Sequence, residues 1–105
     1  MTIKPLIPGL WLVLCANPTA AETIIGNPPA CYDPLWLERM LVFAKTEDRA
    51  SFERYLDIGK CALLKEGMQI TVSKRYRNAD NQERVEFVFK GLRLYTLREA
   101  VGQDL

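Results

Sequence analysis

A dense apolar run, Leu6, Ile7, Leu10, Trp11, Leu12, Val13, Leu14, Cys15 and Ala16, follows a short leader whose one charge is Lys4. Asn17-Pro18 stops it, and the small residues Thr19-Ala20-Ala21 precede Glu22. A charged end, an apolar segment and small residues before a polar one are the parts of a secretory signal peptide. The run is shorter than the roughly 20 apolar residues that a membrane span needs, and Pro5, Pro8 and Gly9 shorten any helix in it. Residues 1–21 are therefore expected to be removed, with cleavage after Ala21. A lipid anchor on Cys15 would need a small residue before it, and Leu14 stands there. Residues 22–105 are then expected to fold as a single domain in the periplasm or outside the cell, with no stable membrane insertion.

Cysteine parity agrees. Of Cys15, Cys31 and Cys61, only Cys31 and Cys61 outlast processing, and in an oxidising compartment they are expected to pair. A domain of about 84 residues has a marginal core. A staple across some 30 residues adds on the order of 3 kcal/mol by restricting the unfolded chain, a large part of the net stability of such a domain. The chain has no His and no Cys-x-x-Cys, so neither a zinc site nor a dithiol redox centre is expected.

Once Lys4 leaves with the leader, 13 bases face 13 acids. Residues 22–57 hold four bases and seven acids, and residues 58–105 nine bases and six acids. That dipole is too mild for nucleic-acid binding, which needs a strongly basic face.

Residues 22–32, rich in Gly and Pro, read as an irregular arm. Asp33-Pro34 reads as a helix start, with Trp36, Met40 and Phe43 on one stripe, Leu37, Leu41 and Ala44 beside it, and Glu38, Arg39 and Lys45 on the wet side. Thr46 is expected to cap a second helix, buried through Phe52, Tyr55 and Leu56 and ended by Gly59. Beyond Gly59 the pattern alternates, as in half-buried strands. Residues 61–64, 68–73, 84–90 and 92–95 are expected strands, with turns at Glu66-Gly67 and Gly91 and a polar loop over 78–83. Thr96 is expected to cap a closing helical turn over 97–101. The expected fold class is α+β: an N-terminal helical hairpin packed on a small antiparallel sheet or SH3-like open barrel.

The order of strand, Glu66-Gly67 turn, alternating strand, polar hairpin loop, strand 84–90, Gly91, short strand and closing turn resembles bacterial SH3-like domains of small periplasmic proteins. The resemblance covers residues 61–101. It implies a binding or scaffolding module, and no binding residue is carried over from it.

The clearest candidate binding cluster is Lys74-Arg75-Tyr76-Arg77 with Arg84 across the hairpin. Arg could hold carboxylate or phosphate at two points; the ordinary alternative is a solvated hairpin neutralised by Asp80, Glu83 and Glu86. Tyr95, with Tyr76, is a further candidate contact residue. Trp36 and Tyr32 could serve a contact surface, but at helical spacing with Met40 and Phe43, Trp36 fits a core. Without His the common general base is missing. Ser51 and Ser73 lie in no nucleophile-elbow sequence, and Asp80, Glu83 and Glu86 suit a solvated loop. No catalytic residue and no cofactor are expected. The expected role is non-catalytic, with an envelope protein or cell-wall polymer as partner. The alternative is a small secreted inhibitor of a periplasmic or foreign enzyme such as a lysozyme.

Overall fold

The computed structural model describes residues 21–103. Of the leader expected over residues 1–21, residues 1–20 lie outside them, and Ala21 is the first residue of a strand. The elements run β1 (Ala21–Ile24), β2 (Pro29–Cys31), α1 (Pro34–Lys45), α2 (Arg49–Asp57), β3 (Cys61–Leu63), β4 (Gln69–Arg77), β5 (Glu83–Phe89), β6 (Leu92–Leu97), a 3₁₀ turn (Arg98–Ala100) and β7 (Val101–Gln103). Among the described residues the strands make one antiparallel sheet of seven, in the order β3-β2-β6-β5-β4-β1-β7.

This corrects the expected fold class. The helical hairpin does not lead the domain, and the sheet is not small: two strands come first, and the helices are inserted between β2 and β3. The segment read as an irregular arm supplies both of those strands. Pro29 conceals β2 in the sequence, yet it stands at that strand's first residue, where proline is tolerated. Its carbonyl accepts a 2.8 Å bond from the Thr96 hydroxyl. Thr96 is fully buried, so it ties β6 to β2 and does not cap the closing turn, which has no side-chain cap.

The helix ends follow local chemistry. Asp33 accepts the Leu35 N–H at 2.8 Å, with Pro34 at the first helical position. The second cap is Asp48, which accepts the Ser51 N–H at 3.1 Å. Thr46 instead closes α1, its hydroxyl donating to the Val42 carbonyl at 2.8 Å.

Apolar residues collect on both faces of the sheet. Ile24, Ala30, Ile70, Val85, Phe87, Leu94 and Val101 form one cluster with Leu64. None of them comes from a helix; Leu64 follows β3 directly, and the partly buried Met68, Val72 and Phe89 pack against the cluster. On the other face α1 and α2 bring Leu37, Met40 and Tyr55 over Cys31 and Cys61. The two cysteines oppose each other directly in the β2–β3 register and are joined by a disulfide.

A β-bulge decides which residues of β4 meet which face. Val72 pairs with Phe87 and Lys74 with Glu86, leaving Ser73 as the extra residue. Its hydroxyl lies 3.0 Å from the Glu86 carbonyl and 2.9 Å from the Glu86 carboxylate. Beyond it the alternation is reset: Arg75 shares a face with Val85, and Tyr76 one with Arg84.

Candidate binding cleft

The expected basic cluster is dispersed by this geometry. Arg75 turns to the inner face, where one of its nitrogens lies 2.9 Å from both carboxylate oxygens of buried Glu22. Arg77 bonds Glu83 at 2.9 Å and the Asn81 carbonyl at 2.8 Å. Lys74 is exposed and stands opposite Glu86.

Tyr76, Arg84 and Tyr95 come together on the helix-covered face. The Tyr76 and Tyr95 rings meet edge to face, 6.2 Å between centroids. The Tyr76 hydroxyl is buried without a hydrogen-bond partner. Burial, then the nearby Glu38 carboxylate, pushes the phenol up to about 12. Tyr95 is raised as well, first by burial and then by Glu86.

Arg84 is buried and aims its guanidinium at Glu38 on α1: Nε to Oε2 at 2.8 Å and Nη2 to Oε1 at 3.0 Å. This two-point bond raises the affinity of Arg84 for its proton. Glu38, expected on the wet side of its helix, therefore anchors α1 to β5. The anchor extends into the β4–β5 loop. Asn78 donates to Glu38 at 3.0 Å, and its carbonyl oxygen accepts the Asp80 and Gln82 N–H groups, each at 2.9 Å. The loop is thus braced from within by one side chain.

Between α1 and this loop runs a cleft of about 640 Å3. Leu35, Leu41, Val42 and Leu97 supply its apolar surface, with Glu38 and Arg84 also lining it. Leu35 and Val42 are 57% and 55% exposed. The sequence reasoning missed Glu38, Asn78, Leu35 and Val42 as site residues. The available signal was a second helical stripe, Leu35, Glu38, Val42 and Lys45, at spacings of three and four. Chemically, the cleft offers apolar contact beside a network of Glu38, Arg84, Asn78 and Gln82 paired to one another, with Lys45, Asp80 and Glu99 also on its lining. Among the described residues no group of three or more Cys, Asp or Glu is placed to hold a metal, and no helix is long and apolar enough to cross a membrane.

No family model matches the chain, and neither a curated protein nor a solved structure does. The resemblance of residues 61–101 to bacterial SH3-like domains rests on strand and turn order alone.

Proposed function

We propose that this protein is a non-catalytic interaction module, exported to the periplasm or beyond, that binds an envelope protein in the cleft between α1 and the β4–β5 loop. The observation carrying this reading is that Leu35 and Val42 stay more than half exposed along a cleft whose buried charge, Arg84, is already paired with Glu38. Such a surface gains by burying apolar area against a partner. A protein partner is favoured over an anionic wall polymer because Arg75, Arg77 and Arg84 each hold a carboxylate.

The test is a photo-crosslinking residue at Val42, with the same residue at Lys90 as control, in the cell of origin. A discrete protein adduct at Val42 and not at Lys90 is expected. Equal labelling at both positions, or none at Val42, removes the cleft. Sedimentation with purified cell wall at low salt would restore the polymer reading if the protein pelleted.

One observation favours the inhibitor as a second reading. A loop braced by Asn78 and held by Arg77 is preorganised for insertion into an enzyme cleft. If replacing residues 78–82 with a Gly-Ser turn leaves inhibition of a cognate enzyme intact, that reading fails.

A further inference from the structure

We propose that the outer edge of β3, with the groove between it and α2, accepts an extended segment of a partner protein that is apolar along one side and basic at its ends. This surface lies across α1 from the cleft described above, shares no lining residue with it, and stands or falls independently of it.

The first observation is the edge itself. β3 closes one side of the described sheet. Its bonds to β2 involve alternate residues: the Tyr32 N–H donates to the Lys60 carbonyl, the Leu64 N–H donates to the Pro28 carbonyl, and Ala62 pairs with Ala30 between them. By the antiparallel rule the N–H and C=O of Leu63 therefore point away from β2, toward the side where no strand follows. An added strand would pair there, which is how extended peptides extend sheets.

The second observation is what lies beside that edge. A groove of about 590 Å3 is floored by Phe43, Phe52, Leu56 and Leu63. Leu63 is 49% exposed and shares its face with Cys61, the face that carries the helices. Alternate side chains of an added strand would fall on that floor.

The third observation selects the partner. Glu47, Asp48 and Glu53 rim the groove against one base, Arg49, whose contact with Glu53 is 3.9 Å long and largely exposed. That imbalance favours basic flanks. It also disfavours a second copy of this chain, since edge-to-edge pairing would bring two acidic rims together.

The probe is a short synthetic peptide alternating valine and threonine with lysine at both ends, and the control carries glutamate instead. Amide exchange of the purified protein is followed by NMR. With the lysine peptide at saturation, exchange of the Leu63 amide is expected to slow at least ~10-fold, and the glutamate peptide should leave it unchanged. Leu63→Pro removes the outward donor, a change that edge strands tolerate, and should abolish binding of the lysine peptide. Where that variant does not fold, the pair Glu47→Lys with Glu53→Lys should exchange the preference toward the glutamate peptide. No slowing at Leu63, equal slowing with both peptides, or slowing confined to the α1 cleft overturns the proposal. So does concentration-dependent slowing without peptide, which would assign the edge to self-association.

Discussion

Arg84 and Glu38, 46 residues apart in sequence, meet through two guanidinium bonds of 2.8 and 3.0 Å. The Arg84 side chain is 6% exposed and that of Glu38 28%. Glu38→Ala would leave a buried guanidinium without its carboxylate and is expected to cost about 3 kcal/mol. Replacing both, Glu38→Leu with Arg84→Met, should bring stability back to within about 1 kcal/mol of the natural protein. Urea unfolding of the three variants checks this. A Glu38→Ala cost below about 1 kcal/mol would mean that the pair does not hold α1 to the sheet.

Tyr76 carries a hydroxyl that burial has left unsatisfied. Tyr76→Phe removes that cost and keeps the ring contact with Tyr95, so stability should hold or rise by up to about 1 kcal/mol. The neutral phenol is the form the fold favours, its value standing at about 12 against about 10 when unfolded. Its contribution is thus fully present below about pH 10 and lost as pH climbs toward 12. An ultraviolet tyrosinate titration should show a last step near 12 that disappears in Tyr76→Phe.

Both half-cystines are buried, Cys31 at 0% and Cys61 at 3%, so reduction has to await opening of the helical cover. Replacing both with Ser should cost about 3 to 4 kcal/mol through the 30-residue separation they close. Alkylation of native and denatured protein, read by mass, should find thiols only after reduction under denaturing conditions. Reactive thiols in native protein taken from the cell of origin would contradict the pairing in the cell.

Lys90 and Gly91 make the two-residue turn between β5 and β6, with φ of 52° and 81°. Two positive φ values in a row define the turn that suits a right-twisted hairpin and that prefers Asn-Gly. Lys at the first position bears the left-handed penalty that Asn largely avoids. Lys90→Asn should therefore stabilise the protein by roughly 0.5 to 1 kcal/mol, visible as a higher urea midpoint.

Asp48 holds the first turn of α2. Its hydrogen bonds with Ser51 lower its carboxyl below the ordinary 3.8. The stabilisation is present above that ordinary value and lost as pH falls through the lowered one. Protection of the Ser51 amide, its exchange measured against that of the unfolded chain at the same pH, should fall on acidification in the natural protein and be low at every pH in Asp48→Ala.

Residues whose neighbours are close in sequence were the legible ones. Asp33-Pro34, Gly59, the α1 and α2 stripes and the alternation on either side of the β4–β5 loop all follow from spacing within one or two turns. The disulfide was legible because the expected loss of Cys15 with the leader left Cys31 and Cys61 as a pair. β1 and β2 were not, because strands of four and three residues flanked by Gly26, Pro28 and Pro29 carry too little period to register, and only pairing with distant β4, β6 and β7 makes them. The site failed to show for a related reason. Glu38 looks solvated until Arg84 is known to lie over it, and the side of the sheet on which Tyr76 emerges depends on one extra residue at Ser73.

That extra residue works as a frame-setting insertion. Were Ser73 to pair in the ladder instead of bulging, the outer half of β4 would turn over, carrying Tyr76 into the apolar interior and swinging Arg75 out toward α1, away from Glu22. Deleting Ser73 outright would join Val72 to Lys74 with their partners Phe87 and Glu86 unchanged, and Arg75 and Tyr76 would keep their faces. At this point the strand can lose a residue without changing what it shows to either side, whereas a second added residue would have to be bulged out in turn.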